Sequence, residues 1–368
     1  MCEQRSVLRV AHVFGTLNLG GAETMIMNAF RTLGDRPVTF DFFVSGQDHG
    51  YYEPEVRRLG GKVHHLPKRS ESMWDHHAQL YRILKEQRYD VVHFHTQNAF
   101  TTLLEILAVR LAGKSRAVVH CHNTMDWRSK KMLLLHKASR CLLNALTDVK
   151  LSCGAAAAQW LYGSEKNVTV IPLPVICDRY LYSRERSDAL RSEAGLTGKQ
   201  VYLHVGRFSD VKNHSFLLDI FAELVKRQEN SVLLMAGDGE LRPQMEAKAE
   251  QLGISGNVRF LGNIPDVYDK MCLADGVIFP SKYEGFPTVI LEAQAAGLPC
   301  LISDTITPAI ALTDLVEQYP LEASAEQWAE KMLGMSADPA TRRAANDTIR
   351  RVYDVSETVE QLMRAYTS

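Results

Sequence analysis

Short runs of β-branched and aromatic residues alternate with helical stretches from residue 7 to residue 122, and the same alternation begins again at residue 200. Strand-like runs fall at 7–14, 39–44, 62–66, 90–95 and 117–122, with helical patterns at 23–33, 52–59, 78–87 and 100–111. The second series places strands at 200–206, 231–236, 258–261, 276–279 and 299–302, with helices at 216–227, 242–251, 267–271 and 288–296. Strands separated by helices are joined by crossovers, and crossovers give parallel, doubly wound sheets. The expected architecture is therefore α/β, with two Rossmann-like domains of similar size facing one another across a cleft. Pro172 and Pro174 lie between the two series. That spacing suits neither a helix nor a central strand, so the chain is expected to cross between domains within 171–182.

The chain has 368 residues, 46% of them apolar, and a formal net charge of -1. That excludes a disordered chain and allows two ordinary cores. The small net charge hides an asymmetry. Residues 1–180 hold 23 Lys/Arg against 16 Asp/Glu, and the remainder hold 19 against 27. Two lobes with different partners fit this better than a nucleic-acid binder, which would be basic overall. The seven cysteines (Cys2, Cys121, Cys141, Cys153, Cys177, Cys272 and Cys300) are scattered and form no C-x-x-C. Buried thiols in a reducing compartment are expected rather than disulfides or a zinc site. The first residues lack the apolar core of a signal peptide. No apolar run reaches the ~18–20 residues that cross a bilayer, so a cytoplasmic protein is expected.

In doubly wound sheets, ligands sit beyond the carboxyl ends of the strands, so the loops that follow strands are the informative ones. The loop from Gly15 to Glu23 contains Gly20-Gly21 and opens a helix, where backbone N–H groups can receive phosphate. A plain tight turn fits it equally well. After the first strand of the second series come Arg207 and Lys212, a planar fork of donors and a compact charge, suited to a diphosphate. Surface charges without a ligand are the plainer alternative. The loop Phe279–Ala293 holds two carboxylates eight residues apart, Glu284 and Glu292, with a helix expected to start near Thr288. One carboxylate can bind sugar hydroxyls while free N–H groups at Thr288 and Val289 face an anion. Capping and surface roles fit the spacing too. In the first lobe, His93, His95, His120 and His122 end strands, and alternation puts His120 and His122 on one face. No carboxylate or cysteine stands at metal-ligand spacing from them.

Taken in order, these segments resemble glycosyltransferase family 4, whose members have the GT-B fold and retain anomeric configuration. The likeness is nearest to capsular and exopolysaccharide biosynthesis enzymes. It runs through Gly20-Gly21-Ala22-Glu23, His120-Cys121-His122-Asn123, the segment from Gly206 to His214, Ala236-Gly237-Asp238-Gly239-Glu240 and Phe260-Leu261-Gly262. It continues through the segment from Pro280 to Pro287, that from Glu292 to Pro299, and Ser303-Asp304. Glu284-x7-Glu292 is the most specific piece.

The resemblance implies an acceptor-side domain over 1–177, with a final helix about 352–368 packing back on it, and a nucleotide-sugar domain over 178–351. Arg207 and Lys212 would hold the diphosphate, and Glu292 the ribose hydroxyls. Glu284 would touch the donor sugar. Backbone groups of Gly285, Phe286, Pro287, Thr288 and Val289 would lie near the distal phosphate and sugar, and Gly262, Asn263 and Ile264 beside the base. Gly20 and Gly21 would close over the phosphate, and His122 would stand at the reaction centre. The inter-domain segment departs from the family, with Leu173-Pro174 in place of Asn-Gly after the proline.

The expected activity is transfer of a sugar from a nucleotide-diphosphate sugar, with uridine the commoner base, to a saccharide or lipid-linked saccharide. No Asp-x-Asp is present, so turnover without a metal or other cofactor is expected. The stretch 128–150 carries six Lys/Arg against one Asp among many leucines. It reads either as an ordinary helix with a core face or as a basic amphipathic helix resting on anionic lipid at the inner membrane face. An epimerase or phosphorylase on the same scaffold, a non-catalytic nucleotide-sugar subunit and a Rossmann oxidoreductase are the competing readings. The last lacks the glycine fingerprint.

Overall fold

Seven parallel strands form the sheet of the first unit in the computed structural model, which describes residues 7–18, 20–123, 129–264 and 267–368. They are β1 (Leu8–Val13), β2 (Val38–Ser45), β3 (Val63–Leu66), β4 (Val91–Thr96), β5 (Arg116–Cys121), β6 (Val149–Ser152) and β7 (Thr169–Val170). Their order is β3-β2-β1-β4-β5-β6-β7. The order reverses between β1 and β4, and such a switch point is where doubly wound sheets take ligands. The helices are α1 (Gly21–Thr32), α2 (Glu53–Arg58), α3 (Met73–Gln87), α4 (Ala99–Ala112), α5 (Lys130–Leu146) and α6 (Ala155–Tyr162).

Strand alternation sorts the side chains of this sheet into two cores. Val10, Phe40, Phe42, Val91 and Val118 pack on one face with α1. Ala11, Phe43, Val92, Phe94, Ala117 and Val119 pack on the other with α3, α4 and α6. Helix α1 starts without a side-chain cap at Gly20, and Gly20 itself has an ordinary φ of -107. A Cβ there would run into the Glu23 carboxylate, so the glycine leaves room rather than bending the chain.

The second unit repeats the plan with β8 (Gln200–Val205), β9 (Ser231–Ala236), β10 (Val258–Gly262), β11 (Gly276–Phe279), β12 (Cys300–Ser303) and β13 (Val316–Tyr319). Their order is β10-β9-β8-β11-β12-β13, with the switch between β8 and β11. Its helices are α7 (Cys177–Tyr180), α8 (Arg184–Glu193), α9 (His214–Arg227), α10 (Arg242–Gln251), α11 (Val267–Leu273), α12 (Thr288–Ala295), α13 (Ala325–Leu333) and α14 (Pro339–Tyr353). The last helix, α15 (Val355–Thr367), belongs to the first unit, where Val359, Leu362, Ala365 and Tyr366 enter the core shared with α1.

The units are Met1–Pro174 with Val355–Ser368, and Val175–Asp354. Each limit lies three residues from the one expected from sequence. The reason is local pairing: the Val175 N–H bonds the Tyr353 carbonyl at 2.7 Å, and Cys177 is fully buried in the second core. Leu173 packs against the first core and lies where a Cβ on Gly21 would touch it.

Helix α5 covers 130–146 rather than 128–150; Lys150 lies in β6, and Arg128 falls outside the described residues. Among the described cysteines all are free, and Cys141 on α5 is exposed rather than buried. Among the described residues, no helix is long and apolar enough to cross a membrane.

Candidate active site

In the second unit the expected residues gather at the carboxyl ends of β8, β10 and β11. Beyond β8, the loop carrying Arg207 is shaped by two glycines from the loop after β9. Gly237 has φ +133, and a Cβ on it would meet the Gly206 carbonyl at 2.0 Å. Gly239 has φ +159, and its Cβ would meet the Phe208 carbonyl at 2.5 Å. Only glycine fits both the backbone conformation and the approach at Gly237. The Phe208 N–H donates to the Asp238 carbonyl at 3.0 Å, locking the two loops together.

The chain then makes a single 3-10 turn over Asp210–Lys212 and enters α9 through Asn213, which sits in the left-handed region at φ +56. The Asn213 amide donates to the Pro280 carbonyl at 3.1 Å, and the Lys282 N–H donates to the Val211 carbonyl at 2.8 Å. Lys282 Nζ also pairs with Asp210 at 2.6 Å. These bonds fasten the loop after β8 to the loop after β11. They bring Lys212 Nζ to 2.6 Å from Glu284 Oε1, both side chains being mostly covered. The same ammonium lies 4.8 Å from the Phe279 ring centre. A lysine so placed is a fixed positive charge that an anion could share with Glu284.

Arg207 is not drawn into this pair. It pairs instead with Glu240 at 3.2 Å, and its side chain is 73% exposed.

Gly285 to Pro287 lead into α12, which begins at Thr288 with no side-chain cap, so N–H groups of its first turn stay available. Phe286 stacks on Tyr353 at 6.2 Å. Glu292 lies one turn further on. Burial pushes its carboxyl up to about 7, partly offset by a hydrogen bond from the Tyr180 hydroxyl. Tyr180 was not singled out in the sequence; an isolated tyrosine after a proline segment carries no signal of its own. Gly262, φ +67, closes β10, and Asn263 and Ile264 follow it.

In the first unit, Gly20 and Gly21 open α1, where Glu23 folds back over Gly20. Burial raises the Glu23 carboxyl above its usual range, opposed by bonds from its own N–H and from Thr16. A phosphate at this turn would have to displace that carboxylate. His122 follows β5, and its carbonyl accepts from the Cys153 thiol at 3.1 Å. Its ring belongs to a cluster of five. His12 on β1, His93 and His95 on β4, and His120 at the end of β5 share the sheet face of α1 and α15. His12 was absent from the sequence-derived set because only strand pairing brings β1 beside β4; His12 stands opposite His93 in register, and His95 opposite His120.

Two sets of ring nitrogens, from His12, His93 and His95 and from His95, His120 and His122, are close enough together to surround a metal ion. Neither includes a carboxylate. A third set, His49, Glu53 and His65, does. There Arg57 at 3.0 Å already pairs with Glu53, and the Gly50 N–H donates to it at 2.9 Å, so a second cation would compete with a guanidinium.

Comparison with known proteins bears on the family and the fold. The family model for glycosyl transferases group 1 matches residues 186–352, and the model for Glycosyltransferase Family 4 matches residues 19–179. The putative glycosyltransferase EpsF of Bacillus subtilis is 33% identical, over 97% of this chain and 96% of that protein. The chain belongs to glycosyltransferase family 4. This family 4 glycosyltransferase is also 26% identical to an Escherichia coli enzyme named UDP-Gal:alpha-D-GlcNAc-diphosphoundecaprenol alpha-1,3-galactosyltransferase, over 83% of this chain and 81% of that one. Its fold is that of the GT-B glycosyltransferases. The crystal structure of Anabaena HepE in complex with UDP superposes with a TM-score of 0.75 at 19% identity, over 97% of this chain and 98% of that one.

Proposed function

We propose that this glycosyltransferase moves a sugar, with retention, from a UDP-linked donor to a saccharide or lipid-linked saccharide of a surface polysaccharide. The observation that carries the reading is the Lys212–Glu284 pair at 2.6 Å, built by two loops fastened together at the switch point of the second sheet. In this reading the diphosphate takes Lys212 from Glu284 and recruits Arg207 from its exposed pairing with Glu240. Glu284 turns to the donor sugar, Glu292 takes the ribose hydroxyls, and the first turn of α12 faces the distal phosphate. Gly262 to Ile264 line the base. The likeness to HepE with UDP and to the E. coli galactosyltransferase supports the uridine donor and the lipid-linked acceptor.

Retention then proceeds by same-face displacement. The bond from the anomeric carbon to the diphosphate oxygen breaks while the acceptor oxygen approaches the same face, and the departing phosphate oxygen receives the acceptor's proton. Lysine and arginine carry the leaving-group charge, so the proposal needs no metal. Removing one such donor costs roughly 2.7–4 kcal/mol in comparable oxyanion sites.

Thermal shift against UDP-, GDP-, ADP- and CMP-sugars is the first experiment. A rise in Tm with a UDP-sugar is expected, because ligands of the native state stabilise it by mass action. No shift at millimolar ligand would refute the donor reading. Lys212→Ala should lower kcat far more than donor affinity, and unchanged turnover would remove its assigned role. Activity lost in EDTA and restored by Mg²⁺ or Mn²⁺ would refute metal independence.

A further inference from the structure

Outside the five-histidine cluster, the first unit brings together His49, Glu53 and His65. His49 lies in the loop after β2, Glu53 opens α2, and His65 lies in β3. His49 Nδ1 stands 3.2 Å from Glu53 Oε2, and His65 Nε2 stands 3.2 Å from both carboxylate oxygens. The two rings are close to perpendicular, at 86°. We propose that these three side chains form a zinc site, with the fourth place left to water. The site goes beyond the transfer reading above and does not rest on it, since the ion takes no part in sugar transfer.

His65 is the informative ring. Its Nδ1 lies 2.8 Å from the Gly46 carbonyl, so Nδ1 bears a proton and donates it. In the neutral ring Nε2 is then a lone pair, and it faces a carboxylate that offers only lone pairs. Something positive belongs between them, either a second ring proton or a metal ion. Distance separates the two. A protonated ring donating to a carboxylate closes to about 2.7–2.9 Å. Two ligands of a tetrahedral zinc stand ~3.3 Å apart, the edge set by bonds of about 2.0–2.2 Å. Both nitrogen–oxygen separations here are 3.2 Å. A metal-bound imidazole also donates its other N–H to a carbonyl or carboxylate, which fixes the ring, as the Gly46 carbonyl fixes His65.

Two imidazoles and one carboxylate suit zinc, whereas Mg²⁺ and Ca²⁺ take oxygen ligands. The other two sets of clustered ring nitrogens include no carboxylate to offset the charge of an ion. The Glu53 side chain is fully buried, so its charge acts with little screening. Arg57 is the competitor. It pairs with Glu53 Oε2 at 3.0 Å, but its own side chain is 52% exposed and can turn to water at little cost. The Gly50 N–H holds Oε1 at 2.9 Å, which leaves Oε2 for the ion. Arg57 is thus the cation that neutralises Glu53 when no zinc is bound.

Zinc pins His49, whose side chain is otherwise 78% exposed. The loop that carries His49 runs against the loop after β1. The Ser45 N–H donates to the Gly15 carbonyl at 3.1 Å, and the Tyr52 N–H to the Leu17 carbonyl at 3.0 Å. The Tyr51 N–H donates to Asn18 Oδ1 at 3.1 Å. A bound ion therefore steadies two loops at the carboxyl end of the first sheet.

The test uses the full-length, untagged protein, stripped with EDTA, dialysed, and titrated with Zn²⁺ against a chromophoric chelator. The wild type should bind zinc, and its Tm should rise with Zn²⁺ and not with Mg²⁺. His49→Ala removes a ligand that lies mostly in water, so the variant folds as the wild type does. It should weaken zinc binding by about 100-fold or more and lose the Tm rise. Arg57→Gln removes the competing guanidinium and should tighten zinc binding roughly two- to fivefold. No zinc bound by the wild type, binding undiminished in His49→Ala, or binding weakened in Arg57→Gln would overturn the proposal.

Discussion

Two residues of the second unit set measurable properties. Glu292 has its carboxyl raised to about 7 by burial, so the folded chain binds a proton there that the unfolded chain has lost. Stability from this group is complete below its unfolded value near 4.5 and fades as pH rises through 7. Glu292→Gln removes that dependence. Its Tm should pull ahead of the wild type between pH 5 and pH 8, equivalent to roughly 1–3 kcal/mol, the lower end reflecting the exposure Glu292 keeps. Donor KM should move oppositely: the wild-type value should rise as pH falls below 7, and the Gln variant's should stay high and flat. A wild-type KM independent of pH would contradict the ribose role. Gly237→Ala puts a methyl group against the Gly206 carbonyl at φ +133. We expect a loss of roughly 2–3 kcal/mol by denaturant titration, with donor affinity falling because the Arg207 loop shifts. Glu284, Glu292, Arg207 and Lys212 were legible because each follows a strand in a recognisable string. Tyr180 and His12 were not, since their partners are 112 and 83 residues away in sequence and only the fold joins them.

At the scale of elements, the sequence revealed many of the helices and strands whose buried face is apolar, but not α6, α13 or β6, although Leu161, Trp328 and Leu151 are buried there. β9 and α10 appear at their expected limits, 231–236 and 242–251. α14 was missed for a physical reason: its buried face consists of Arg342, Ala345, Asn346 and Ile349, which leave almost no hydrophobic period to read. Arg342 instead donates to the Ala296 carbonyl at 3.1 Å and lies 3.9 Å over the Tyr182 ring. β13 and β7 were missed because they are short and incompletely buried. Helix α5 has both faces that the sequence left open. His136, Ser139 and Leu143 are buried, while Leu134 is 69% and Leu142 49% exposed beside Lys130, Lys131 and Lys137. We expect this face to bind anionic vesicles at low salt and release them as salt rises. Flotation with phosphatidylglycerol vesicles checks it: Lys130, Lys131 and Lys137 changed together to Gln should abolish binding. Flotation of the wild type only with neutral lipid, or with none, would overturn this expectation and leave α5 an ordinary helix with a solvated face.

At the scale of the whole molecule, the first unit is completed by the last fourteen residues of the chain. Val359, Leu362, Ala365 and Tyr366 are at most 7% exposed, and each large side chain contributes about 1.5–3 kcal/mol by its burial. Truncation after Asp354 should therefore lower the melting of the first unit far more than that of the second, splitting one calorimetric transition into two. A single unchanged transition would show α15 to be dispensable. The second unit, by contrast, is one uninterrupted stretch, Val175–Asp354. This connectivity has a consequence for synthesis. A ribosome emits the first sheet before the second unit, yet the helix that seals its histidine face emerges only after the second unit. The unit begun first is the unit finished last, and the half-made first sheet must wait, one side uncovered, while the second unit is made and folds. The arrival of α15, rather than the appearance of the N-terminal strands, is what closes the first unit.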